Sequence, residues 1–226
     1  MLTVLGAFAA PVHAESTGAP RVTVKAGKPD PRTGTVRVRI TAVDADDSVV
    51  RMQVPAATAK GLILRRSWPA GSTSGSFTYT PTATARHAAA RDTASPAEKA
   101  DRFTLTIIDA RGRSESVPVS IKISPQNSVP VADPIVSAPD ASGVVTGNLR
   151  ATDADGDPLT YAVTVMPVRG SVVVSSDGTF IYTPSVTQAR VRVVVNASSS
   201  DCFSVTVGDG YGGAAHVPVC VQSQDA

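Results

Sequence analysis

The chain has 226 residues, 42% of them hydrophobic and 18% charged, with a formal net charge of +2. That length suits two domains of roughly 100 residues each, and the composition excludes a disordered or uniformly polyionic chain. Aromatic residues are only 4% of the total, so the cores must be built mainly from Val, Ile, Leu and Ala, whose alternating runs favour strands.

The first residues form a short apolar run followed by Val12-His13-Ala14, where the small Val12 and Ala14 suit signal peptidase. Residues 1–14 are therefore expected to be a signal peptide and the mature chain to be secreted or displayed at the cell surface. The run has no Lys or Arg before it, which a start codon placed too far downstream explains. No segment approaches the stretch of about 18 apolar residues that a membrane span requires.

Beyond residue 20, Val36-Arg-Val-Arg-Ile40 alternates with the period of a strand, and Gly, Pro, Asp and Ser interrupt such runs at regular intervals. Trp68, beside Arg65, Arg66 and Pro69, is either a ligand platform or a half-buried anchor of a sandwich. The Ala-rich Thr84–Arg91 predicts one or two helical turns. Ser124–Pro134 contains prolines that forbid helix. This places a linker at 124–134 between a first domain at 15–123 and a second at 135–226.

The two domains are copies of each other. Phe77-Thr-Tyr-Thr-Pro81 returns as Phe180-Ile-Tyr-Thr-Pro184, and Phe103-Thr-Leu-Thr-Ile-Ile-Asp109 as Phe203-Ser-Val-Thr-Val-Gly-Asp209. Val117-Pro-Val119 returns as Val217-Pro-Val219, and Ala42-Val-Asp44-Ala-Asp46 matches Ala151-Thr-Asp153-Ala-Asp155. An ordered repeat with about seven short strands per copy and no helical period between them predicts an all-β chain of two tandem immunoglobulin-like sandwiches.

Charge divides unevenly between the copies. Residues 21–128 carry 17 basic and 9 acidic groups, whereas residues 129–226 carry 4 and 9. The basic half is either a set of solvated strand faces or a surface for a polyanion, a cell-wall polymer or nucleic acid. No aromatic residues interleave with its arginines, so nucleic acid is not the expected partner.

Cys202 and Cys220 each stand nine residues from Tyr211, the centre of a Gly-rich hairpin. Symmetrical pairing puts Phe203, Val205 and Val207 with Val219, Val217 and Ala215 on one apolar face and sets the cysteines opposite each other on the other. A disulfide is expected there, in keeping with export. Enzyme motifs are absent: no Gly-x-Ser-x-Gly, no His-Glu-x-x-His, no Cys/His zinc cluster, and only three histidines, His13, His87 and His216. A non-enzymatic chain is expected.

The run Asp153-Ala-Asp155-Gly-Asp157-Pro158 gathers carboxylates only if the backbone curls, as calcium loops do; otherwise it is a solvated polar turn. Together with Asp177-Gly-Thr-Phe180 and Phe203–Gly213 it resembles the tandem cadherin-like and VCBS-type repeats of large exported bacterial proteins. The resemblance covers nearly all of residues 34–221. It implies a sandwich fold, export, and a spacer or adhesive role beside further repeats. The partner expected of an exported chain in that role is an extracellular protein or a surface glycan. In cadherins the matching Ala-x-Asp-x-Asp segment helps bind calcium together with an acidic linker, but Ser124–Pro130 has no carboxylate. The resemblance thus implies a weak calcium site at Asp153, Asp155 and Asp157, with Asn127 or a carbonyl as a further ligand.

Overall fold

The computed structural model describes residues 20–43, 49–69, 72–185 and 199–223. The expected signal peptide and the first copy's acidic run, Asp44–Asp47, lie outside the described residues. The chain divides into two compact units. One runs through Thr82 and resumes at Ala100–Lys122; the other comprises Ala83–Lys99 and Ile123–Ala226.

The first unit contains strands β1 (Arg21–Ala26), β2 (Val36–Val43), β3 (Val49–Gln53), β4 (Gly61–Ser67), β5 (Ser74–Pro81), β6 (Ala100–Asp109) and β7 (Ser114–Lys122). On β2, Val36, Val38, Ile40 and Ala42 turn inward while Arg37, Arg39, Thr41 and Val43 turn outward, as the period of two requires. All pairings are antiparallel, in the orders β1-β2-β5-β4 and β3-β6-β7. Four strands facing three in this order is the arrangement of a constant-type immunoglobulin sandwich. Val38, Ile40, Phe77 and Tyr79 from one sheet meet Leu105, Ile107, Val119 and Ile121 from the other in one core.

The second unit repeats the plan with β8 (Ile135–Val136), β9 (Val145–Asn148), β10 (Thr160–Val165), β11 (Gly170–Val174), β12 (Thr179–Pro184), β13 (Ser199–Gly208) and β14 (Ala214–Ser223). Its sheets run β11-β12-β9-β8 and β10-β13-β14. Val145, Leu149, Phe180, Tyr182, Phe203 and Val205 are central to its core. Among the described residues each unit shows seven strands, as expected.

One helix, α1 (Ala83–Ala90), forms where the Ala-rich run predicts it. Although it follows β5 in sequence, its partners lie in the second unit. Arg86 Nε donates to the Ser124 carbonyl at 3.0 Å, Gln126 N to the Arg86 carbonyl at 3.2 Å, and Ile123 N to the Lys99 carbonyl at 3.0 Å. Those bonds satisfy backbone groups in a stretch that joins no sheet. Ala85, Ala89 and Ile123 add a small apolar cluster.

Both copies also share a buried polar post. Tyr79 donates to Asp101 Oδ2 at 2.7 Å, and Tyr182 to Asp201 Oδ2 at 3.0 Å. Each tyrosine ring lies over the glycine that opens the neighbouring strand. A Cβ on Gly61 would stand 2.7 Å from the Tyr79 ring, and one on Gly170 2.6 Å from the Tyr182 ring. Glycine is required there for close approach.

Candidate metal centre

The acidic run of the second copy does curl. Asp153 Oδ1 accepts the amide of Asp155 at 2.8 Å and that of Asp157 at 3.4 Å, while Gly156 takes a left-handed φ of 80°. A short Asp side chain bonding two residues ahead makes such a turn from local chemistry alone. The turn commits one oxygen of Asp153 and leaves Oδ2 buried without a hydrogen-bond partner.

The hairpin between β13 and β14 supplies the next carboxylate. Asp209 Oδ1 accepts the amides of Tyr211 at 2.7 Å and Gly213 at 3.0 Å, and Oδ2 accepts Asn127 Nδ2 at 2.7 Å. Burial pushes the Asp209 carboxyl up, but these hydrogen bonds outweigh it and hold the group below its ordinary pKa. It is therefore an anion at neutral pH. Gly213 permits the arrangement, because a Cβ there would stand 2.0 Å from Asp209 Oδ2.

Ligand oxygens of Asp153, Asp157 and Asp209 lie within 4.8 Å of one another. Carboxylates this close repel unless a cation or proton lies among them. Among the described residues three buried side-chain polar atoms lack a hydrogen-bond partner; two of them, Asp153 Oδ2 and Asn127 Oδ1, belong to this site. Oxygens desolvated without a donor are costly. A hard cation among the three carboxylates would satisfy Asp153 Oδ2, so the residues present fit calcium, which takes about six to eight oxygens.

Of the three aspartates singled out in the sequence, the structure therefore brings Asp153 and Asp157 together with Asp209. Asp155 turns aside. Its Oδ2 accepts the Ser128 amide at 2.6 Å, which holds its carboxyl below the usual range. It instead joins His87 and Asp157 in a second group of ligand atoms within the same 4.8 Å span. His87 Nε2 lies 3.0 Å from Asp157 Oδ2, and its ring stacks on Tyr211 at 4.2 Å. The segment after it also steadies the hairpin tip, through Arg91 Nη2 donating to Tyr211 Oη at 3.1 Å and Asp92 N to the Gly210 carbonyl at 3.0 Å.

Asp209 is the residue that sequence reasoning misses. Its signal lies in the divergence of the repeat. In the first copy Asp109 caps the same turn, accepting the amides of Arg111 and Arg113, and the Arg113 guanidinium neutralises its second oxygen. In the second copy position 213 is glycine, so the built-in cation is missing where the carboxylates converge.

The cysteines pair as expected. Cys202 stands opposite Cys220 in the β13–β14 register, joined by a disulfide with the Cα atoms 4.1 Å apart, on the exposed face of the sheet. Trp68 is the half-buried anchor, packed against the first core and over Gly75. No helix among the described residues is long and apolar enough to cross a membrane.

Comparison with known proteins agrees with the motifs. Among solved structures, murine CEACAM1b is similar over 90% of this chain and 99% of its own, at 8% identity and a TM-score of 0.36, a likeness too slight to bear on function. No curated protein matches the sequence. Residues 127–223, which hold Asn127, Asp153, Asp157 and Asp209, match the family of bacterial cadherin-like domains.

Proposed function

We propose that this chain is an exported, non-enzymatic spacer or adhesive segment whose second sandwich is stabilised by calcium. Asp153, Asp157 and Asp209, with Asn127, are its ligands, and water completes the shell. The observation that supports this most is the convergence of three carboxylates, one of whose oxygens, Asp153 Oδ2, is buried with no hydrogen-bond donor. The donor set is all oxygen, which favours calcium over the nitrogen- and sulfur-bound zinc. Cadherin-like domains, to which residues 127–223 are similar, often bind calcium and typically carry no catalytic centre. A cation at this point would tie the Asp153 turn, the hairpin tip and the start of the unit at Asn127 into one body. The partner in such a role is an extracellular protein, a surface glycan or a further repeat.

Thermal unfolding of the full chain in EDTA or in about 5 mM calcium tests the reading. With a dissociation constant of about 10⁻⁴ to 10⁻³ M, that concentration stabilises by about 1–2 kcal/mol, an upward shift of roughly 5 °C in one transition. The shift should vanish in Asp157→Asn. Identical melting in EDTA and calcium would overturn the proposal.

A further inference from the structure

The outer face of the four-stranded sheet in the first unit carries cations that the sandwich does not use. Arg37 and Arg39 point outward from β2, and Lys25 of β1 stands directly opposite Arg39 in the antiparallel register. Like charges directly opposite across a sheet are destabilising, so folding gains nothing from the pair. Among the described residues none of Lys25, Lys28, Arg37, Arg39 and Arg65 makes an ion pair.

Two shallow depressions, of about 660 and 440 Å³, run over this face and share Arg37. Lys28, Arg65, Thr78 and Thr80 extend the first, and Arg39, Ser74 and Ser76 the second. Arg65 takes a left-handed φ of 48° where β4 slips register between Leu64 and Ser67. A non-glycine residue held there is strained, a feature that clusters at binding sites. Asp30 is the one carboxylate in either lining, and it is engaged by the amides of Arg32 and Thr33.

The second unit is an internal control. On its corresponding sheet the outward residues include Thr146, Ser171, Val173, Ile181 and Thr183, all uncharged. The same fold therefore forms without cations on that face.

We propose that this face of the first unit binds an extended anionic polysaccharide. Guanidinium forks match carboxylate and sulfate groups, while the threonine and serine hydroxyls between them both donate to and accept from sugar hydroxyls. No aromatic side chain lines either depression, so nucleic-acid bases find no stacking platform. That favours a glycan over a single-stranded nucleic acid.

The test is binding of the full chain to three probes at low salt: heparin, polygalacturonate and oligothymidylate. At least one glycan should bind more tightly than the oligonucleotide, with affinity falling steeply as salt rises. Arg37→Gln/Arg39→Gln should weaken glycan binding at least tenfold while leaving the melting temperature unchanged or higher, since a like-charge pair is removed. Arg102→Gln/Lys122→Gln takes the same charge from outward positions on β6 and β7 and should weaken it less than twofold. Three results would each overturn the proposal: no retention of the parent on either glycan, equal losses in the two double variants, or tighter binding of the oligonucleotide than of both glycans.

Discussion

Tyr182 and Asp201 show how single residues set the pH range of the fold. Burial, followed by the hydrogen bond to Asp201, pushes the Tyr182 hydroxyl up to about 12. Burial also pushes the Asp201 carboxyl up, but the Val168 and Arg169 amides and the Tyr182 hydroxyl outweigh it, holding the acid below its ordinary value. A carboxyl depressed in the folded state contributes stability that is full above its unfolded pKa, about 3.9, and is lost as pH falls through the folded value. A raised tyrosine contributes up to about pH 10, and its share fades as pH approaches 12. The melting temperature should therefore be flat from about pH 5 to 9 and fall at both extremes. Circular dichroism melts across pH check this, and Asp201→Asn should flatten the acid limb. Tyr182→Phe is expected to cost about 1–2 kcal/mol, because Asp201 keeps its two backbone donors. The tyrosine was visible in the sequence as part of a repeated Phe-x-Tyr-Thr-Pro run, but its partner was not. The two lie 19 residues apart on strands that only the fold brings together.

At the scale of elements, the β13–β14 hairpin was the most legible part of the chain. Pairing about Tyr211 gives the observed register, from Phe203 opposite Val219 to Cys202 opposite Cys220. Alternation and symmetry suffice there because one face must be buried, which fixes register. Closing a loop of this length is worth about 3 kcal/mol in the chain-entropy model. Cys202→Ser/Cys220→Ser should lower the second unit's melting temperature by at least about 5 °C, and dithiothreitol should do the same to the parent, since the bridge lies on the exposed face. The candidate metal centre was only partly legible. Asp153 and Asp157 are neighbours in sequence, the turn chemistry is local, and Asn127 of the linker was among the ligands expected, whereas Asp209 arrives from the far end of β13. Gly213→Ala probes that junction. Its Cβ would meet Asp209 Oδ2, so calcium affinity should fall at least tenfold by titration calorimetry, and a variant that binds as the parent does would show that the hairpin tip is not part of the site.

At the scale of the whole molecule, sequence order and packing order differ. The segment Ala83–Lys99 follows β5 of the first copy, yet it packs with the second unit, a long-range choice that no local pattern in an Ala-rich run reveals. A fragment beginning at residue 124 keeps Asn127, Asp153, Asp157 and Asp209 but lacks His87, Arg91 and the bonds to Ser124 and Gln126. It should melt at least about 5 °C below the second transition of the full chain, and equal melting would show that the segment adds nothing. The measurement that bears most directly on the central claim is calorimetric titration of calcium into EDTA-stripped full chain, beside Asp153→Asn/Asp209→Asn and the control Asp177→Asn, whose carboxylate only caps the exposed turn before β12. One site of about 10⁻⁴ to 10⁻³ M in the parent and the control, absent from the double variant, is the result expected. No binding heat in the parent, or equal binding by the double variant, would contradict it.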